Sequence, residues 1–321
     1  MNHQPTRLAL YGENGHQIHN ILTRYPQAQL TAVADFPPDK LPPELRAGAR
    51  PLRSLDDLLA DNQVDAISLC SAKRSEQAGH AIRALRAGKH VFAEKPCALT
   101  EPDLDAIISA ARDTGRVFRE MGAGVFDQPY FAMQQIVRSG QLGDIVQVIA
   151  EKSYPYYEGR PQNEDVDGGL AGQCALYCFR FTEHIAGVKV RSIQAVDTTL
   201  GNPVTGGGLR MAVALTARLA NGGIASLSAN YLNQRGVNIW GYETLRILGS
   251  RGWVESTQGG QHTRLVIGNE DCGPLDTGSV APDLFANFLQ DIADRHSDTD
   301  RLPDDLSPTR WAIRARECLL K

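Results

Sequence analysis

Short apolar segments alternate with amphipathic segments along the first third of the chain. The apolar segments have the length of buried strands, and stretches with helical spacing lie between them. The predicted strands are Leu8–Tyr11, Leu30–Ala34, Asp65–Cys70, His90–Ala93 and Val117–Met121. The predicted helices are His16–Arg24, Ser75–Ala87 and one that begins after Thr100. Because strands that alternate with helices form βαβ units, we predict an α/β domain with a parallel sheet over residues 1–123.

After about Gly124 the pattern changes to longer strands with fewer helices. The predicted strands are Ile145–Lys152, Val190–Asp197, Leu209–Leu219, Ile224–Tyr231, Leu245–Leu248 and Leu265–Ile267. The turn Asn221-Gly222-Gly223 is a strong hairpin signal, and the mostly apolar residues 210–218 predict a strand covered on both faces. The predicted helices are Asp127–Ser139, Asp283–Arg295 and Pro308–Leu320. We therefore predict an α+β domain with a largely antiparallel, open-faced sheet over residues 124–321.

Composition narrows the class of protein. A chain of 321 residues fits two domains, and a net charge of -4 argues against a nucleic-acid partner. No apolar run approaches the ~20 residues that span a bilayer, and the first residues lack a signal peptide, so we expect a cytoplasmic protein with no membrane partner. We expect mostly buried, reduced thiols and no metal site; the cysteines are Cys70, Cys97, Cys174, Cys178, Cys272 and Cys318.

The segment AGKHVFAEKP, residues 87–96, contains the main candidate for chemistry. Gly88 ends a predicted helix, a short strand follows, and the strand ends in Glu94-Lys95-Pro96. In an open α/β sheet, ligands bind outside the carboxyl ends of the strands, so Lys95 carries its charge where a cofactor and a substrate would meet. The alternative is an ordinary surface lysine in a strand-to-helix loop.

The first predicted strand leads into a glycine-containing turn. Gly12, Asn14 and Gly15 occupy the place of a phosphate loop, whose backbone N–H groups at a helix N-terminus hold a pyrophosphate. We expect the backbone N–H of His16 to face the cofactor, while Gln17 takes the place of the third glycine. This interpretation makes residues 1–123 a dinucleotide-binding Rossmann domain, and the further predicted cofactor contacts are Ser71, Glu94 and Lys95.

Asp35 ends the second predicted strand, close to the spacing of about 20 residues expected for an acid that binds the adenine ribose hydroxyls. The residues that follow it include no arginine for a 2′-phosphate. NAD is therefore the predicted cofactor, and NADP is not excluded. The alternative role for Asp35 is that of a helix or turn cap.

With these features the chain resembles the Gfo/Idh/MocA oxidoreductase family almost from end to end. The similarity includes SGQLGDIVQVIAEKS at residues 139–153 and LRILGSRGWVE at residues 245–255. The resemblance implies that Lys95 lies beside the nicotinamide and binds the reacting substrate oxygen. It also implies that residues 124–321 bind the substrate and join copies of the chain into a dimer or tetramer through the open sheet.

The chain departs from the family pattern at several positions. The family's T-P-N-x-x-H stretch corresponds here to Ala72, Lys73, Arg74 and Gln77. A polar pair is replaced by Ala123 and by Gly124 or Val125. On the family's substrate helix, Gln173 stands where an aspartate is usual and Tyr177 where the acid/base is usual.

These residues predict an NAD(P)-dependent dehydrogenase or reductase for a hydroxyl of a sugar, cyclitol or related polar molecule. Lys95 polarises the substrate oxygen and lowers the pKa of Tyr177, Tyr177 carries the proton, and Gln173 orients the substrate. The alternatives are a packed aromatic for Tyr177 and a capping amide for Gln173. At the level of the protein, the alternatives are a regulatory ligand-binding protein on the same scaffold and, less favoured, an enzyme that uses bound NAD transiently to cleave a bond. Further candidates for the pocket are Tyr154, Tyr156, Tyr157, Arg160 and His184.

Overall fold

The structure, a computed structural model, describes residues 4–122 and 124–319. It forms two compact units. The first contains the chain up to Met121 together with Asp165–Asp167 and Asp283–Leu306, and the second contains Gly122–Glu164, Gly168–Pro282 and the chain from Ser307. The predicted division at residues 1–123 and 124–321 therefore differs from these units, because part of the C-terminal region packs with the first one. The predicted departure at Ala123 lies outside the described residues.

The first unit contains a parallel sheet of six strands in the order β3-β2-β1-β4-β5-β6. The strands are β1 Thr6–Tyr11, β2 Ala28–Ala34, β3 Arg50–Pro51, β4 Ala66–Leu69, β5 His90–Ala93 and β6 Phe118–Glu120. The predicted parallel α/β sheet is confirmed. Because the strand order reverses direction at β1, the carboxyl ends of β1 and β4 form the crevice where such sheets bind ligands.

Four helices of the first unit lie between these strands in the chain, and two come from the C-terminal region. They are Pro43–Arg46, Leu55–Ala60, Arg74–Arg86, Glu101–Thr114, Leu284–Ala293 and Leu302–Asp305. The helix predicted to begin after Thr100 begins there, and the Thr100 hydroxyl caps it by accepting from the Asp103 N–H at 3.2 Å. The helix Leu284–Ala293 belongs here because Phe285 and Phe288 join the apolar core that also contains Leu8 and Phe92.

The predicted helix His16–Arg24 is wrong. The chain forms two short 3₁₀ turns instead, Ile18–Asn20 and Leu22–Arg24. The Gln17 side chain donates to the Gly12 carbonyl oxygen at 2.9 Å and accepts from the Ile18 N–H at 3.1 Å. These local bonds favour a turn over a regular helix at its first residues.

The second unit contains an eight-stranded sheet in the order β14-β13-β12-β11-β7-β10-β9-β8. Its strands are β7 Ile145–Ser153, β8 Val190–Thr198, β9 Ala212–Leu219, β10 Ile224–Asn230, β11 Tyr242–Gly249, β12 Gly252–Thr257, β13 His262–Ile267 and β14 Glu270–Gly273. All neighbouring strands pair antiparallel except β7 and β10, which are parallel. The largely antiparallel sheet and the hairpin at Asn221 are confirmed, whereas β12 and β14 were not predicted.

The helices of the second unit are Tyr130–Arg138, Leu176–Arg180 and Ser307–Leu319. The middle one is flanked by the π-helical segments Ala171–Ala175 and Phe181–Ile185. Buried residues of the helices and of one sheet face form a single core. The chain itself covers only one face of β9, and not both as predicted, because Ala214, Thr216 and Arg218 alternate with buried residues and are exposed. Among the described residues, no helix is long and apolar enough to cross a membrane.

Candidate active site

The Glu94-Lys95-Pro96 corner lies at the carboxyl end of β5, as predicted. Lys95 is only 2% exposed, and the peptide bond between Lys95 and Pro96 is cis. The Gln77 side-chain amide donates to the carbonyl oxygen of Glu94 and, at 3.2 Å, to that of Pro96. The backbone on both sides of Lys95 is therefore held by one side chain.

Arg74 links this corner to the glycine turn. Its guanidinium is buried and donates to Gln77 Oε1 at 2.5 Å and to the Asn14 carbonyl oxygen at 2.8 Å. Gln77 Oε1 also accepts from the Ser71 N–H at 3.3 Å. The sequence showed Arg74 and Gln77 only as departures from a family pattern. One feature of the sequence could have indicated their role. Arg74 and Gln77 are polar, lie three residues apart and begin the helix that follows β4, so their side chains can reach the strand ends.

Glu94 ties the corner directly to the turn. Its side chain is 1% exposed, and it accepts from the His16 backbone N–H at 2.7 Å and faces His16 Nδ1 at 3.0 Å. Burial by itself raises the pKa of Glu94. The hydrogen bond with His16 and the charges of His16, Lys95 and Arg74 outweigh burial and bring the pKa to about 2. Glu94 is therefore a carboxylate at neutral pH.

Two glycines of the turn are required by close contacts. Gly12 has φ +70°, and a Cβ there would lie 2.1 Å from the Cys70 carbonyl oxygen. Gly15 has φ +121°, and a Cβ there would lie 2.6 Å from Glu94 Cγ. A larger residue at Gly12 would have to move the turn or the backbone at Cys70, and one at Gly15 would have to move the turn or the Glu94 side chain.

Asn14 fastens the turn to neighbouring backbone. Its N–H donates to the Cys70 carbonyl oxygen at 3.2 Å. Its side-chain amide donates to the carbonyl oxygens of Ala72 at 2.9 Å and Val166 at 2.7 Å. The role seen here is therefore structural, since the amide already has two acceptors within the first unit.

Two predicted cofactor contacts have internal partners. The His16 N–H, expected to face the cofactor, donates to Glu94, because the carboxylate reaches the same turn from the end of β5. Ser71 is fully buried, with its hydroxyl 2.9 Å from His80 Nδ1. An anion that binds the His16 amide would have to compete with Glu94, and Ser71 presents no exposed surface to a ligand.

Asp35 follows the last residue of β2 and is exposed, with a left-handed φ of +50°. Burial raises the pKa of Tyr11, at the end of β1, and the charge of Asp35 raises it further. The carboxylate therefore lies at the carboxyl edge of the parallel sheet, close to the end of β1. This is the place and the chemistry required of a ribose-binding acid.

In the second unit, Gln173 and Tyr177 lie four residues apart on the π-helical and α-helical turns. Gln173 is half-buried and Tyr177 is buried. Lys152 Nζ lies 4.4 Å from the Tyr177 ring centroid and 4.6 Å from that of Tyr154. The sequence assigned the neighbouring ammonium to Lys95, whereas the second unit itself supplies one from β7. The predicted residues did not include Lys152.

The groups around this lysine form a buried polar network. Lys152 pairs with Glu243, and the second oxygen of Glu243 accepts from the Tyr130 hydroxyl at 2.6 Å. Burial raises the pKa of Tyr154 well above its usual value, and the neighbouring Tyr177, with which it forms a hydrogen bond, raises it further. The network therefore places one cation and one anion against a pair of linked tyrosines.

The other predicted pocket residues have varied surroundings. The Arg160 guanidinium lies 4.6 Å from the Tyr157 ring centroid and 3.8 Å from that of Tyr231. Tyr157 and Tyr154 both approach Trp240, whose side chain is exposed. The ring of His184 stacks on that of Phe126 with centroids 5.5 Å apart. Tyr156 is half-buried beside the apolar core.

The cysteines are all free thiols. Cys272 and Cys318 are exposed, and the other four are buried. Burial raises the pKa of Cys178. No group of three or more His, Cys, Asp or Glu side chains in residues 4–122 and 124–319 is arranged to hold a metal ion.

Two family models match the chain. Residues 11–121 match the model of an oxidoreductase family with an NAD-binding Rossmann fold. Residues 130–255 match the model of the GFO/IDH/MocA C-terminal domain. The two matches follow one another along the chain and together span most of it.

Individual proteins show the same kinship. A dTDP-3,4-didehydro-2,6-dideoxy-alpha-D-glucose 3-reductase of Streptomyces violaceoruber is 30% identical over 190 residues, which are 57% of this chain and 55% of that protein. The scyllo-inositol 2-dehydrogenase (NAD(+)) of Bacillus subtilis (strain 168) is 24% identical over 188 residues, 57% of this chain and 54% of that protein. The chain thus aligns with about half the length of these relatives. A 3-ketoreductase from Actinomadura kijaniata, solved with NADP and TDP-benzene, superimposes with a TM-score of 0.78 at 20% identity, covering 98% of each chain.

Proposed function

Because the chain belongs to the Gfo/Idh/MocA oxidoreductase family, we propose that it is an NAD(P)-dependent dehydrogenase or reductase. Its substrate is a hydroxyl or carbonyl group of a sugar, cyclitol or related small polar molecule. The observation that carries this proposal is the buried Lys95, whose flanking backbone is held by Gln77 at the carboxyl end of β5. A buried lysine on a fixed backbone at the carboxyl edge of a parallel sheet lies where ligands of this fold bind.

The first unit is an NAD-binding Rossmann domain, and its residues fit a dinucleotide. The exposed Asp35 carboxylate can accept hydrogen bonds from the adenine ribose hydroxyls. The close contact of Gly12 with the Cys70 backbone packs the turn directly against the end of β4. We propose that Gly12, Gly15 and Asp35 hold NAD, which is favoured over NADP because Asp35 would repel a 2′-phosphate. When bound, the nicotinamide supplies or accepts the hydride.

We propose catalytic roles for three residues: Lys95, Tyr177 and Gln173. Lys95 donates a hydrogen bond to the substrate oxygen and stabilises negative charge that develops on it. Tyr177, whose ring centroid lies 4.4 Å from Lys152 Nζ, holds or accepts the hydroxyl proton at its Oη atom. Gln173 positions a substrate hydroxyl through its amide, which both donates and accepts.

A second candidate is a regulatory protein that binds NAD(P) or a sugar without turnover. One observation favours it: Gln173 has no ionisable group where the resemblance implies an aspartate. We also propose a homodimer or homotetramer in which a second copy covers the open sheet face. Ile149, Val196 and Ile224 are exposed there.

The test combines nucleotide binding with turnover. NADH and NADPH are titrated by calorimetry into the wild-type protein, Lys95→Met and the control Lys73→Met, whose lysine is exposed. Reduction of NAD is then followed with a panel of polyols, cyclitols and aldoses. We expect Lys95→Met to bind NADH as the wild type does but to lose on the order of 100-fold in kcat. Binding without turnover on any substrate would favour the regulatory candidate. Failure to bind either nucleotide would reject the proposed enzyme and leave only a regulatory protein that binds a sugar.

A further inference from the structure

The buried network around Lys152 is a second charged site, to which the proposed mechanism assigns no step. Lys152 on β7 and Glu243 on β11 are direct partners in the antiparallel register, and their side chains are 5% and 10% exposed. Burying two charges removes both from water at a large cost in free energy, and an apolar pair of the same volume is often no less stable. Because the Lys152–Glu243 pair is costly to bury and lies beside a candidate acid/base residue, we expect it to have a chemical role.

The geometry limits what this lysine can do. Glu243 is fixed from its other side by the Tyr130 hydroxyl, so the carboxylate holds the ammonium in one place. From there Lys152 Nζ lies over the rings of Tyr154 and Tyr177, at 4.6 Å and 4.4 Å from their centroids. Both distances are within the range of cation–π attraction, which is strongest for desolvated groups. The Lys152 ammonium therefore interacts with the two tyrosine rings and is shielded from bulk solvent.

We propose that Lys152, held by Glu243, is a positioning residue that sets the protonation equilibrium of Tyr177. It acts through the charge that it places beside the linked pair Tyr154 and Tyr177. The proposal rests on the proposed role of Tyr177 as the proton carrier. It adds a lysine from the second unit to a reaction whose only other proposed lysine is Lys95.

The two charges of the network act on Tyr177 in opposite directions. A nearby ammonium favours the tyrosinate form, and a nearby carboxylate disfavours it. The helix Ser307–Leu319, packed against the Tyr177 helix, directs Arg314 over Trp311 and Arg316 toward Glu164. The other titratable groups of the neighbourhood are Lys152, Glu243, Glu151, Tyr130, Tyr154, Cys174 and Cys178. Removing Lys152 should therefore raise the pKa of Tyr177, and neutralising Glu243 should lower it.

The experiment is a spectrophotometric titration of tyrosinate in the full-length protein, which requires no substrate and no turnover. The variants are Lys152→Met, Glu243→Gln and the charge-conserving Lys152→Arg, and the spectrum of Tyr177→Phe identifies the contribution of Tyr177. We expect the Tyr177 midpoint to rise by about one pH unit or more in Lys152→Met. It should fall in Glu243→Gln and stay near the wild-type value in Lys152→Arg.

The opposite signs separate this role from simple packing. A purely structural pair predicts that both substitutions loosen the site and move the midpoint in the same direction, or not at all, and either result overturns the proposal. If Lys152→Met does not fold, a midpoint that fails to fall in Glu243→Gln, or that shifts in Lys152→Arg, overturns it instead. Where turnover is found, the pH profile of kcat should shift with the midpoint. Absence of turnover would count against the proposed function and leave the titration result unaffected.

Discussion

The side-chain amide of Gln77 donates a hydrogen bond to the backbone carbonyl oxygen of Glu94, the residue before Lys95. The same amide reaches the Pro96 carbonyl oxygen at 3.2 Å. Gln77 is itself held by the buried Arg74, whose other bond goes to the Asn14 carbonyl oxygen in the glycine turn. Lys95 and the turn are thereby parts of one hydrogen-bonded assembly within the first unit.

Replacing Gln77 with alanine should release the corner around Lys95. Two buried carbonyl oxygens would lose their donor, which costs about 1–3 kcal/mol in the free energy of unfolding. Where turnover is found, kcat should fall more than KM changes, because Lys95 would lose its fixed position. Urea denaturation and steady-state kinetics measure the two effects. The control is Gln290→Ala, whose exposed amide donates to the exposed Asp294; equal losses in both variants would contradict the assembly.

Glu94 should make the stability of the first unit depend on pH. Its pKa is about 2 in the folded protein, below the ordinary value of 4.5. A carboxyl with a lowered pKa contributes stability that is fully present above its unfolded pKa and is lost as the pH falls toward the folded pKa. The stability difference between the wild type and Glu94→Gln should therefore shrink between pH 6 and pH 3, as measured by urea denaturation. The exposed Glu44→Gln serves as control, and a difference that stays constant with pH would be inconsistent with an ionised Glu94.

Gly12 and Gly79 offer a matched pair of glycine substitutions. Gly12→Ala places a Cβ 2.1 Å from the Cys70 carbonyl oxygen at a φ of +70°, and the left-handed backbone alone costs about 1–2 kcal/mol. Gly79 lies in the helix Arg74–Arg86, and a Cβ added there would have nothing within 4 Å, so Gly79→Ala should stabilise by about 0.5–1 kcal/mol. Thermal unfolding of both variants checks the opposite signs. An unchanged melting temperature for Gly12→Ala would mean that the turn is not packed against the end of β4 as described.

A lysine at Ile224 should weaken self-association. Ile224 is 47% exposed on the open face of the sheet, and a charge there would be buried by a second copy. Sedimentation equilibrium should show a smaller oligomer for Ile224→Lys than for the wild type. Val280→Lys is the control, because Val280 is exposed but lies outside the sheet strands. A monomeric wild type would reject the proposed interface.

Local pattern predicted the strands better than the short helices. β5 begins and ends where predicted, because Gly88 and the Glu-Lys-Pro corner limit the apolar segment on both sides. The helix predicted at His16 failed because the Gln17 side chain binds Gly12 and Ser68, contacts that helical spacing does not reveal. β12 and β14 were missed because their stability comes from pairing with neighbouring strands and not from their own composition.

The candidate site residues were likewise predicted only in part. Local signals singled out Lys95 and Asp35, since each follows a predicted strand at a recognisable position, whereas Tyr177 was identified only through the family resemblance. The sequence did not show that Glu94 binds the His16 amide or that Lys152 lies over Tyr177. Each of these contacts joins residues that are far apart in the chain.

The sequence by itself determined that the chain has a parallel α/β part and a largely antiparallel part, and that Lys95 follows a buried strand. It could do so because hydrophobic periodicity, glycine and proline act over a few neighbouring residues. Only the tertiary structure decided the partners: Gln77 on the Lys95 corner, Glu94 on the turn, Lys152 with Glu243 against the tyrosines, and the return of residues 283–306 to the first unit. The physical reason is that strand order and register bring distant side chains within hydrogen-bond distance, and no local pattern encodes that choice.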